Sequence, residues 1–233
     1  MTSPSFGFHN SQSAHQVAIQ AQIEHTINDL LAALPKPEYL FAGQRRGIIA
    51  RYTAVLEGNF IYWMTGAYLS AKSEEARLII LDNLHEEVRD CHPGMLRRFA
   101  VAARAVPTDS DVLAVSRDLM NVRLFVGRLS GVRLILMMAF FEGFIQRFMS
   151  FLAELAERQE SVEREYTDVH GVCDVAHTQG LFRALAEEIT LNPPESEMDM
   201  LEGVNLLRTL IQTIVQFDPA GGAAAGGPRL VTQ

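Results

Sequence analysis

From about residue 13 to about residue 217, apolar side chains recur at three- and four-residue spacing. Almost no segment alternates with the period of two that marks a half-buried strand. The spacing predicts helices over about 13–34, 39–70, 73–90, 94–105, 110–129, 131–158, 162–190 and 196–217. The punctuation agrees. Pro35-Lys-Pro37 closes the first helix, Ser73-Glu-Glu opens the third with acids at its positive end, and Asn192-Pro-Pro194 ends the seventh. No repeat of 20–50 residues is evident, which excludes a solenoid. The expected class is all-α, a compact up-down bundle. Residues 1–12 are expected to form a loose N-terminus, 13–218 a single helical domain, and 219–233 a disordered Gly/Ala-rich tail.

With 233 residues, 48% hydrophobic and 21% charged, the chain can bury a substantial core. A formal net charge of −8 argues against a nucleic-acid partner, because nothing neutralises phosphates over a broad surface. The opening Met1-Thr-Ser-Pro-Ser-Phe6 does not read as a signal peptide. The most apolar run, Leu134 to Phe141, is bracketed by Arg133 and Glu142 and falls short of the roughly 20 residues a membrane span needs. Cys91 and Cys173 form no disulfide framework and are expected to be small buried hydrophobes in a reducing cytoplasm.

The chemistry concentrates in His170-Gly-Val-Cys-Asp174-Val-Ala-His177. At 100° per residue, offsets of four and seven return to within roughly 40° of the start, so all three side chains leave one helix face. Two imidazoles and a carboxylate suit a redox-active or Lewis-acidic transition metal better than calcium or a thiolate-rich zinc site. Glu142 lies in a run that is apolar on nearly every side, where an ionised carboxylate needs a metal or an arginine such as Arg128 or Arg133. Glu57, in Ala54-Val-Leu-Glu57-Gly-Asn-Phe, repeats the pattern and is a candidate for ligation or for facing the substrate. In Asn83-Leu-His85-Glu86-Glu87-Val-Arg-Asp90-Cys-His92-Pro93, no acid sits three, four or seven residues before His92. Pro93 implies that the helix frays near Asp90 and that His92 starts the next one. One of Glu86 and Glu87 then faces inward with His92 and the other is solvated.

Taken together, Asn-Leu-x-Glu-Glu, His92-Pro-Gly-Met-Leu96, an isolated mid-chain acid and a late His-x3-Asp-x2-His resemble the haem-oxygenase-like diiron oxidases. Those proteins share an up-down helical fold with TenA-type thiaminases and pyrroloquinoline-quinone synthase. The resemblance spans about residues 40–190. It implies that His170, Asp174 and His177 bind iron, with Glu142, His92 and Glu87, the second acid of its pair, completing two sites. It also implies that Glu57 could supply an additional carboxylate. Where members carry a glycine-rich insertion between the acid pair and the histidine, this chain has only Val-Arg-Asp-Cys.

The resemblance further implies two iron ions and O2 as co-substrate. The expected reaction is oxidation of a small amino-acid-derived or amine substrate in a biosynthetic pathway, and an external electron donor is compatible with it. Phe140, Phe141, Phe144, Trp63, Met137 and Met138 are expected to wall the site, and Arg51, Arg123 or Arg147 to meet a substrate carboxylate. Exposed amphipathic faces would allow a homodimer. Two competing readings are a metal-free thiaminase, which needs Cys91 or Cys173 as nucleophile, and a non-enzymatic helical binding module. The second leaves Glu57, Glu142 and the His/Asp/His face without a common purpose.

Overall fold

A computed structural model describes the backbone of residues 7–193 and 196–216, and the side chains of 17–193, 196 and 199–216. The described residues form an all-α bundle: α1 (Gly7–Ala32), α2 (Ala42–Leu56), α3 (Asn59–Ser70), α4 (Glu74–Arg89), α5 (His92–Ala102), α6 (Asp109–Val126), α7 (Gly131–Glu157), α8 (Glu165–Leu191), α9 (Glu197–Met200) and α10 (Glu202–Gln216). A 3-10 turn, Pro37–Tyr39, precedes α2. The expected loose N-terminus overlaps the start of α1 at Gly7, and the expected tail from residue 219 lies outside the described residues.

The bundle is organised around α7, which is buried along most of its length and packs most extensively on α8. Helices α1, α2, α3 and α10 cover its remaining faces, while α4 lies against α8 and α6 against α10 and α2. By length and mean hydropathy α7 could cross a bilayer, more than the eight-residue run in the sequence implies. However, 78% of its most apolar window is buried inside the bundle. Its apolar face is therefore already partnered by protein.

Capping fixes the ends that matter for the site. The Ser73 hydroxyl accepts from the Ala76 N–H at 3.2 Å, and Glu74 and Glu75 occupy the first turn of α4. The expected continuous helix over 39–70 is broken in two. Glu57 is the C-cap of α2, and Gly58 takes φ +81°, a left-handed conformation that glycine adopts without a Cβ clash. The break carries Glu57 out of the core.

Glu188 on α8 does work that the sequence pattern does not announce. It is fully buried, and its Oε2 accepts from the backbone N–H groups of Lys72 at 2.8 Å and Ser73 at 2.9 Å. That carboxylate pins the α3–α4 turn to α8. Gly131 opens α7 directly beside it, and a Cβ there would lie 2.8 Å from Glu188 Oε1 and from the Ser70 carbonyl. Replacing Glu188 by alanine strands two N–H groups, and is expected to cost about 2–4 kcal/mol in urea denaturation. A loss under about 0.5 kcal/mol would show that the tie is dispensable.

Candidate metal centre

Two groups of ligand-type side chains converge between α4, α5, α7 and α8. The first joins Glu87, His92 and His170, all buried, with one donor atom from each lying within 4.8 Å of the others. Glu87 Oε1 is 2.7 Å from His92 Nδ1 and 3.9 Å from His170 Nε2. The rings of His92 and His170 meet edge to face at 4.5 Å. This corner exists because α4 ends at Arg89 and Cys91 takes φ 57°, so that His92 opens α5 and turns back toward Glu87. The sequence expectation of a break near Asp90 agrees with this geometry.

The second group lies on α7 and α8. His177 Nδ1 is 3.8 Å from both Glu142 Oε1 and Asp174 Oδ1, and Cys173 Sγ donates to Asp174 Oδ1 at 3.2 Å. His177 Nε2 is 2.9 Å from Glu86 Oε2. Glu86 is therefore not simply solvated, as the sequence reading had the outward acid of the pair. It remains about a third exposed yet reaches the second histidine.

Hydrogen bonding sets which imidazole nitrogen is free. A backbone carbonyl can only accept, so His170 Nδ1–H donates to the Tyr166 carbonyl at 2.8 Å and leaves the Nε2 lone pair toward Glu87. By the same logic His177 Nε2–H donates to the Glu86 carboxylate, which leaves Nδ1 toward Glu142 and Asp174. An outer partner that fixes tautomer and ring orientation is the usual support of a metal-binding histidine.

Whether a cation fits is decided by the polar atoms left over. Glu142 Oε1, Asp174 Oδ2 and His177 Nδ1 are buried without a hydrogen-bond partner, on residues only 1%, 0% and 5% exposed. Orphaned buried acceptors are costly, and three on neighbouring side chains match a cation. Electrostatics agree. Burial, reinforced by the charges of Asp174, Glu87 and Glu86, pushes the Glu142 carboxyl well above its ordinary range. Burial likewise lifts Asp174 to about 8. Burial lowers His170 to about 4, so its imidazole is neutral and able to ligate at pH 7. Burial also acts to lower His92, but the hydrogen bond and charge of Glu87 overcome it and the net shift is upward. Nitrogen and carboxylate donors of this kind suit iron.

A narrow cavity of about 20 Å³ touches Glu87, His92, Glu142 and His170. It has room for about one water molecule. Its other walls are Leu56, Phe60, Ile61, Pro93, Leu96, Ile145 and Tyr166. The aromatic and methionine side chains expected as walls are not among them. They form core behind it, as where Phe141 packs on Phe60 and Trp63.

Several other expectations are corrected. Glu57 is exposed and ion-paired to Arg97, because the α2–α3 break points it outward, and it does not line the cavity. Arg51, Arg123 and Arg147 are directed elsewhere, to the Ile214 carbonyl, Asn59 and Asn28 respectively. Arg128 and Arg133 pair with Glu202 rather than Glu142. Cys91 is exposed rather than buried, and neither cysteine lines the cavity, so the thiaminase reading lacks its nucleophile there. Sequence reasoning missed Tyr166, whose only signal was its place one turn before His170.

No curated protein and no solved structure matches the chain. Residues 49–210 do match the haem-oxygenase-like family described as iron-containing redox enzymes, a stretch that holds both ligand groups and covers more than half of the chain. The buried nitrogen and carboxylate donors, the all-α bundle around them and that match together place this protein in the family of iron-containing redox enzymes with a haem-oxygenase-like fold.

Proposed function

We propose that the protein is a non-haem diiron enzyme that uses O2 to oxidise a small amine or amino-acid-derived substrate in a biosynthetic pathway. The observation that carries this reading is the pairing of two ligand groups. Glu87, His92 and His170 form one; Asp174 and His177, with Glu142 3.8 Å from His177 Nδ1 and Cys173 beside Asp174, form the other, with orphaned polar atoms on Glu142, Asp174 and His177. In this reading each group would hold one iron ion, and the bound pair would supply electrons to O2.

The chain's own residues do the rest. The Tyr166 carbonyl and the Glu86 carboxylate hold His170 and His177 in the tautomers that direct a lone pair inward. Leu56, Phe60, Ile61, Leu96 and Ile145 exclude water from the face where a substrate C–H or amine would meet the oxidant. Since the cavity holds about one water molecule, admitting a substrate requires these side chains to part at the α2–α3 joint, where Leu56 and Phe60 flank Gly58. The wall carries no arginine or lysine, which favours a substrate with an apolar body whose polar group meets the metal side. In this reading the substrate is a small molecule, and the chemistry allows an external electron donor.

Anaerobic loading with ferrous ion, followed by removal of excess metal, should leave about two iron ions per chain. Asp174→Ala should retain about one, and the helical circular dichroism should be unchanged. Fewer than one ion in the unaltered protein, or two ions still held by the variant, would contradict the assignment.

The pH dependence follows from the raised carboxyls. Below about pH 8 Asp174 holds a proton in the metal-free protein, and Glu142 is shifted in the same direction. Iron must displace those protons, so affinity should rise with pH from about 6 to 8 and level off above. Titration calorimetry in two buffers of different ionisation enthalpy should report about one to two protons released per chain near pH 7. A buffer-independent enthalpy would mean that the carboxyls are already ionised.

A further inference from the structure

The centre has a second approach, opposite in character to the narrow apolar cavity. A surface groove of about 250 Å³ runs between α4 and α8, and its lining includes Asp82, Glu86, Cys173, His177 and Arg183. Along α4, Asp82 and Glu86 are one turn apart on one face. Exposure falls step by step inward: Asp82 is exposed, Glu86 is about a third exposed, and His177 is only 5% exposed. Behind the floor, which Cys173 and His177 form, one donor atom each of Cys173, Asp174 and His177 lies within 4.8 Å of the others. His177 Nδ1, on the inner side of the ring toward Glu142 and Asp174, is buried without a partner.

From this arrangement we infer that the α4–α8 groove is the route by which ferrous ion reaches the Glu142/Asp174/His177 group. Asp82 is the outer capturing carboxylate and Glu86 the inner one. The inference rests on the two-ion reading above. The apolar cavity is the poorer path for a hydrated cation. It has room for about one water molecule, so the ion would have to shed its shell against Leu56, Phe60 and Ile61. The groove instead offers carboxylate donors at Asp82 and Glu86 before the ion meets Cys173 and His177, so water is replaced ligand by ligand. Arg183 opposes the acids. It makes no ion pair or hydrogen bond among the described residues, and its charge sits in the same groove. The two signs make the inference testable in both directions.

The experiment mixes metal-free protein anaerobically with ferrous sulfate and follows chelator-resistant iron with time and at end point. At low ionic strength, Asp82→Asn should slow uptake of the second ion about three- to tenfold, and Arg183→Gln should quicken it by a similar factor. The end point should stay at that of the unaltered protein. Both effects should shrink in about 0.5 M salt, where the Debye length falls to a few ångströms. Glu154→Gln, which removes an equal charge from a groove elsewhere on the surface, should leave the rate unchanged. If Asp82→Asn and Arg183→Gln load at the unaltered rate, or Glu154→Gln slows uptake as much as Asp82→Asn, the route is overturned while the two-ion reading stands. An end point below two ions in the unaltered protein would instead contradict the two-ion reading, and the route with it.

Discussion

Everything about this site follows from two carboxyl groups buried on adjacent long helices. Glu142 and Asp174 are carried by α7 and α8, whose packing leaves both essentially without contact with water. Ionising them there without a cation costs several kcal/mol each, and no arginine or lysine reaches them through an ion pair among the described residues. They are therefore neutralised by protons or by a metal ion. The neighbouring histidines sharpen the choice, because His170 is neutral at pH 7 and each of His170 and His177 has one nitrogen committed to an outer partner. A bundle selected for stability alone would fill this volume with leucine. The polar, half-satisfied core is the sign of a functional site.

The scaffold holds that core open through a few local devices. The Cys91 turn folds α5 back so that His92 faces Glu87, which adds a third and fourth helix to a centre that α7 and α8 could not complete. Glu188, with its two backbone N–H donors, ties the preceding turn to α8 and so fixes where α4 begins. Gly58 separates α2 from α3 and lets Leu56 and Phe60 approach the centre from different helices. The result is an apolar wall on the Glu87/His92/His170 side and a polar groove on the Glu86/His177 side.

Much of this is legible in the residues themselves. Helical periodicity specifies the class, and the His170–Asp174–His177 spacing specifies one face of α8, because both depend only on the regular turn of a helix. Pro93 announces the α4–α5 corner because proline restricts the residue before it. Glu57 shows the limit of the same reasoning. An acid in an apolar run reads as buried only if the helix continues, and the left-handed Gly58 ends it. The arginines could not be assigned because long flexible side chains choose partners by tertiary proximity, as Arg51 does with the Ile214 carbonyl 163 residues away. Glu86 and Glu87 are adjacent in sequence yet serve different histidines, a division that appears only when α4 is set between α5 and α8.

The most direct test of the account is a crystal structure of the ferrous-loaded protein with anomalous scattering recorded on either side of the iron absorption edge. Two iron peaks roughly 3.5–4 Å apart are predicted, one among Glu87, His92 and His170 and one among Glu142, Asp174 and His177. A single peak, or iron bound away from both groups, would contradict the claim that these buried carboxylates and imidazoles form a two-metal centre.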